Sequence, residues 1–74
     1  MQTKCGEIMR KNLKIFRVAN DLSQNGIAKK LGYERAYFGH IERGFMDGSS
    51  KFWSRLQKSF SLSDEKVEEL KVNE

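Results

Sequence analysis

No proline stands anywhere in the 74 residues, and apolar side chains recur at helical spacing in short bursts separated by Gly, Asn, Asp and Ser. An apolar residue at every third or fourth position makes one buried stripe on a helix, whereas a half-buried strand alternates. No stretch alternates convincingly. Breaks this frequent keep every helix short, and a short helix is stable only through the stripe it buries against neighbours. The chain is therefore constrained to an all-α bundle around one shared core. Its length points to a single domain, 1–74, close to the lower size limit for folding without staples.

The first helix is expected from about Lys4 to Val18, with Met9, Leu13 and Phe16 at i, i+4 and i+7, and with Ile8 and Ile15 widening the stripe. Asn20-Asp21 breaks it. Ser23 offers an N-cap for a second helix, Gln24 to Leu31, whose inward face is Ile27, Ala28 and Leu31. Gly32 stands where a left-handed C-terminal residue is wanted. A third helix, about Glu34 to Arg43, buries Phe38 and Ile41 and stops at Gly44, before a loop over 45–48. Ser49 or Ser50 caps a fourth helix reaching about Ser59, with Phe52, Trp53, Leu56 and Phe60 facing in; Phe52 and Trp53 suit a core better than a subunit contact. Ser63, Asp64 and Glu65 open a fifth, acidic helix over about 64–72, because carboxylates in a first turn complement the helix dipole. Val67 and Leu70 supply its apolar face.

Charge is distributed unevenly. Residues 1–35 hold eight basic and three acidic side chains, residues 36–60 four and two, and residues 61–74 two and five. A basic body ending in an acidic segment suits a polyanion on its basic side; the plainer reading is a merely soluble surface. Eight aromatic residues are too many for a disordered tail. The single Cys5 excludes an internal disulfide and a multi-cysteine metal site, and it fits a reducing compartment. No long apolar run and no apolar leader after Met1 are present, so a cytoplasmic protein without membrane contact is expected. No nucleophile–base pair, phosphate-cradling glycine loop or metal cluster is legible, so no enzyme activity, cofactor, metal or small-molecule ligand is expected.

The second and third segments, joined about Gly32, have the order of a helix-turn-helix unit over about 23–43. In such a unit the second helix lies in the DNA major groove while the first crosses the backbone. Ala28 matters because a larger side chain would push the two helices apart. With Phe38 and Ile41 inward, Glu34, Arg35, Ala36, Gly39, His40 and Arg43 face outward. Two short helices about a glycine occur in many bundles, so the spacing alone is only moderately specific.

Leu22-Ser-Gln-Asn-Gly-Ile-Ala-Lys-Lys-Leu-Gly32, continued by Tyr33-Glu-Arg-Ala-Tyr-Phe-Gly-His-Ile-Glu-Arg-Gly44, resembles the phage repressor/Cro-type (XRE) helix-turn-helix family. The elements LSQ, IA, LG and IERG stand in order without gaps, and the resemblance covers about residues 9 to 70. It implies a compact five-helix, lambda repressor-like fold that binds operator DNA as a homodimer and regulates transcription. It places Gln24, with Asn25 beside it, at the DNA backbone or bracing the reading helix. Arg35, Ala36, Gly39 and His40 match base-facing positions, Arg43 and the loop after Gly44 a phosphate-facing edge, and Arg17 with Glu42 an ion pair between the first and third helices. The run Glu34-Arg-Ala-Tyr37 is most similar to the controller proteins of restriction–modification systems, in which an Arg and a Tyr here meet DNA.

The chemistry of these residue types agrees with those roles. Arginine's planar fork matches guanine O6 and N7. Lys29 and Lys30, on the helix that crosses the backbone, suit phosphates without regard to sequence. His40 fits a polar reader or a phosphate contact, and Tyr37 either packs its ring or touches sugar, phosphate or a thymine methyl. Gly48 stands where the family often has proline, which predicts a looser 45–48 loop. Val67 and Leu70 are the candidate half of a subunit interface. The competing class is a protein-interaction module, an antitoxin or adaptor, supported by Tyr33 and Phe45 as exposed aromatics flanking the reading helix.

Overall fold

Serine hydroxyls begin three of the helices. Ser23 Oγ accepts from the Gly26 N–H at 2.9 Å, Ser49 Oγ from the Phe52 N–H at 3.1 Å, and Ser63 Oγ from the Lys66 N–H at 3.1 Å. Each satisfies a donor that a helix start otherwise leaves unpaired. A computed structural model of the chain describes residues 9–72, so Lys4, Cys5 and Ile8 lie outside the described residues. Its five helices are α1 (Lys11–Ala19), α2 (Gln24–Leu31), α3 (Arg35–Glu42), α4 (Ser50–Phe60) and α5 (Asp64–Lys71). The fold is all-α, and no strand occurs among the described residues. None of these helices is long and apolar enough to cross a membrane.

Every helix gives the core at least one side chain. Leu13 comes from α1, Ile27, Ala28 and Leu31 from α2, Phe38 and Ile41 from α3, Phe52, Trp53 and Leu56 from α4, and Val67 and Leu70 from α5. Phe16 meets Phe60 edge to face at 5.0 Å, closing α1 onto the end of α4. Gly32 at φ 83° ends α2 and Gly44 at φ 84° follows α3, both in the left-handed region that favours glycine.

Three expectations need correction. Helix α1 starts at Lys11, and Met9 and Arg10 precede it. Residue 10 is claimed by tertiary bonds: its N–H donates to the Glu42 carbonyl at 2.8 Å. Ile15 does not widen the buried stripe but is 64% exposed, because α1 turns Leu13, Phe16 and Arg17 inward and residue 15 falls on the opposite side. Val67 and Leu70 are buried in this chain's own core and are not available to a second subunit.

Arg10 is a buried cation that sequence reading missed. Its Nε donates to the Lys71 carbonyl at 3.0 Å, and one terminal nitrogen donates to the carbonyls of Ile41 at 2.7 Å and Met46 at 2.9 Å. The carbonyls of Lys71 and Ile41 sit at the ends of α5 and α3, where a positive charge is favoured, and that of Met46 lies in the loop after α3. The guanidinium also lies 5.6 Å from the Trp53 ring centroid. Burial pushes Arg10 below its ordinary value, and Asp47 at 3.7 Å, itself fully exposed, opposes that shift.

The 45–48 loop is held rather than loose. Trp53 Nε1 donates to the Asp47 carbonyl at 3.0 Å, and Gly48 adopts φ 79°, which proline cannot reach. A Cβ there would stand 3.0 Å from Trp53 Nε1, 3.2 Å from Ile41 Cδ1 and 3.3 Å from Phe52 Cδ2. Gly48→Ala is expected to lose about 1–3 kcal/mol of stability from backbone strain and crowding together. An unchanged thermal midpoint would show that neither constraint operates.

Candidate nucleic-acid interface

Helix α3 packs on α2 through Ala28, Phe38 and Ile41, all at most 1% exposed, and this fixes which way its other side chains point. Arg35, Ala36, His40 and Arg43 are exposed, and Gly39 is half-buried beneath Gln24 of α2. A Cβ on Gly39 would stand 3.6 Å from Gln24 Oε1, so the amide lies across the helix surface there. These six residues line a shallow depression of about 180 Å³. His40 has the exposed Phe45 ring 5.9 Å from its own.

A hydrogen-bonded chain runs from the core to this face. Arg17 Nε donates to Glu42 Oε2 at 2.8 Å, and another Arg17 nitrogen donates to the Leu22 carbonyl at 2.9 Å. Gln24 Nε2 donates to Glu42 Oε1 at 2.7 Å. That bond fixes the amide: its nitrogen faces the carboxylate, so its oxygen faces away. Arg35 donates to this oxygen at 3.5 Å, a long and exposed contact that leaves the guanidinium easily redirected. The Arg17 and Glu42 side chains are 13% and 3% exposed, so the pair is largely withdrawn from water.

The depression therefore unites Gln24, Arg35, Ala36, Gly39, His40 and Arg43. It does not include Asn25, Lys29 or Tyr37. Asn25 and Lys29 are exposed elsewhere on α2. Tyr37 points the other way: its ring stacks on Tyr33 at 4.9 Å and meets Phe52 edge to face at 5.9 Å, and its hydroxyl accepts from the Ser49 N–H at 3.3 Å. The Tyr33 ring is likewise half-buried against Phe52. Arg55, not singled out in the sequence, donates to the Leu31 carbonyl at 3.1 Å and lies 5.4 Å from the Tyr33 ring centroid. Its only sequence signal is its place between Lys51 and Lys58 on a helix without acids.

No protein-family model and no solved structure matches the chain. An uncharacterized HTH-type transcriptional regulator of Methanocaldococcus jannaschii is 36% identical over 59 residues, which cover 80% of this chain and 89% of the relative. The chain belongs to the HTH-type transcriptional regulators. In this HTH-type regulator the matching stretch is long enough to take in more than the α2–α3 unit.

Removing one member of the internal network of this regulator tests its weight. Glu42→Ala is expected to cost about 3–5 kcal/mol, because Arg17 keeps a buried charge without its partner. Arg17→Met combined with Glu42→Leu is expected to cost much less, since both charges go together. Urea midpoints compare the two, and a double variant as weak as the single one would mean that the pairing is not the source of the loss.

Proposed function

We propose that this regulator is a phage repressor/Cro-type or controller-like protein that occupies operator DNA, with α3 in the major groove and α2 across the backbone. One observation carries the reading: Arg35, His40 and Arg43 share one open face of a short helix braced from behind by Gln24 and Glu42. Neither Arg35 nor Arg43 has an acidic partner among the described residues, so both charges remain for an anion. Arg35 stands in the first turn of α3 and is the principal reader; His40 contacts a base or phosphate; Arg43 meets phosphate. Asn25 and Lys29 add backbone contacts from α2. Tyr37 acts by holding the α3–α4 loop against its ring. The reading assigns the protein no catalytic step, cofactor or small-molecule ligand.

The protein acts as a homodimer on this reading. With Val67 and Leu70 consumed by the core, the subunit contact falls to the exposed apolar residues, which among the described residues are Ile15 and Val18 on α1 and Phe45, Met46 and Val72 outside the helices. Met46 and Lys71, the neighbour of Val72, both offer their carbonyls to Arg10, which brings these two stretches of backbone together, while the Phe45 ring lies beside His40. The exposed apolar residues also support the competing reading of an antitoxin or adaptor, for which Phe45, 64% exposed, would be the anchor.

Two variants and two duplexes separate these roles. Arg35→Ala is expected to lose about 1–3 kcal/mol per half-site on an operator isolated by selection from genomic fragments, with little change on random DNA. Lys29→Ala is expected to weaken both alike. Equal losses on both duplexes for Arg35→Ala would put the wrong residue in the groove, and no binding to either would favour the protein-interaction reading.

A further inference from the structure

The C-terminal ends of α2 and α4 bring four cations together beside the α2–α3 turn. Lys29, Lys30, Arg55 and Lys58 surround a shallow depression of about 350 Å³ whose remaining lining is Leu31, Gly32 and Ser59. No carboxylate lines it, and none of the four makes an ion pair among the described residues. Helix α5 is different: there Lys66 pairs with Glu69 at 3.5 Å and Lys71 with Glu68 at 3.2 Å. A single-sign cluster is thus a local feature of this surface.

Arg55 is the fixed member of the cluster. One terminal nitrogen donates to the Leu31 carbonyl, the guanidinium lies against Tyr33, and a Cβ on Gly32 would stand 2.9 Å from that nitrogen. Glycine therefore serves twice here, as the left-handed cap and as room for Arg55. Arg55 is exposed, so its other N–H donors remain open. The end of α2 favours a cation, and Arg55 already meets its last carbonyl. Lys29 and Lys30 complement the end of α2 and Lys58 that of α4, and Lys30 Nζ lies 5.5 Å from the Phe60 ring centroid. None of the three lysines meets a carboxylate among the described residues, so their charges remain to attract an anion from outside.

We propose that this depression is a second phosphate site, which takes the phosphodiester backbone of nucleic acid beyond the bases that α3 faces. The inference rests on the DNA-binding reading and extends it through Arg55, Lys30 and Lys58, residues outside the reading face. A guanidinium with one edge anchored and the other free matches the paired oxygens of a phosphodiester, and the lysines add point charges around it. An acidic protein surface is the poorer fit, because Leu31 is buried and the depression offers no exposed apolar residue to anchor a partner. Tyr33 joins the site to α3 by stacking on Tyr37.

The test combines Lys30→Gln with Lys58→Gln in the full chain, since both side chains are exposed and neither hydrogen-bonds the backbone. Binding is measured over a range of salt on the selected operator core alone and on the same core extended by one helical turn of arbitrary sequence on each side. The parent is expected to bind the extended duplex more tightly. The double variant is expected to lose that advantage, with the slope of log K against log salt falling by about 1 for each lysine that meets a phosphate. Repeating the comparison in inorganic phosphate at matched ionic strength separates the sources: competition that shrinks the flank advantage supports the site. Phosphate binding by the parent that the double variant loses, with no flank advantage in either protein, would instead assign the site to free phosphate and overturn the nucleic-acid assignment. Unchanged affinity and slope in the double variant, with Arg35→Ala still weak on the operator, overturns this site alone. Unchanged DNA binding with lost self-association reassigns the lysines to an acidic protein surface and also overturns it. A parent that holds no duplex overturns this site and the DNA-binding reading together.

Discussion

Three helices meet in the carboxylate of Glu42. It is the one buried acid among the described residues, and it receives Arg17 from α1 and Gln24 from α2 while belonging to α3. A carboxylate removed from water is tolerated only when its oxygens are filled, and here both are. The consequence is geometric. Helix α3 cannot slide along α2 or rotate about its axis without breaking a charged hydrogen bond, so the angle at which its outer face is presented follows from this one group. Arg10 acts on the same stretch from behind, bonding the carbonyl of Ile41 with its side chain and that of Glu42 with its backbone N–H. The end of α3 is thereby fixed from two directions, by Arg17 at the Glu42 carboxylate and by Arg10 at the backbone carbonyls.

Aromatic packing extends this rigidity to the loop after α3. Phe52 is surrounded by Tyr33, Tyr37, Phe38 and Trp53, all with ring centroids within 6.1 Å. Two of these rings carry polar atoms that reach the backbone at the loop's end, Tyr37 at Ser49 and Trp53 at Asp47. Such rings combine buried area with a hydrogen bond at their tips. The loop is therefore set by the same core that sets the helix, with Gly48 filling the one place where a side chain would not fit.

Much of the fold was legible in the sequence because its signals are local. Serine caps, glycine stops and the inward faces of α2, α3 and α4 each depend on residues within a turn or two of one another. Ile15 was misread because α1 has apolar residues on two sides, and periodicity cannot say which side also carries Arg17 to Glu42. Val67 and Leu70 were read correctly as an apolar face and wrongly as a free one, since only the fold reveals that the core needs α5. Arg10 had no local signal whatever: its burial depends on carbonyls at residues 41, 46 and 71 converging from three parts of the chain. At the site, the outward set on α3 followed from helical geometry, while the pairing of Arg17 with Glu42 was legible only through family resemblance. Tyr37 was left between packing its ring and meeting DNA, because nothing in the sequence says that Tyr33 and Phe52 wait for its ring.

Ala36 and Gly39 occupy the middle of the exposed face of α3, and neither has a side chain long enough to reach past the helix surface. The middle of that face is instead made of the Ala36 methyl and of the Gln24 amide lying across Gly39. Hydrogen-bonding side chains are then confined to the two ends of the helix, Arg35 at one and His40 with Arg43 at the other. In the proposed complex, base pairs facing the centre would meet no hydrogen-bonding side chain of α3 and would be sensed through the braced Gln24 amide or through groove width and flexibility. On the proposed reading, a regulator with this face would tolerate variation at the centre of the sequence it covers and be strict at its edges.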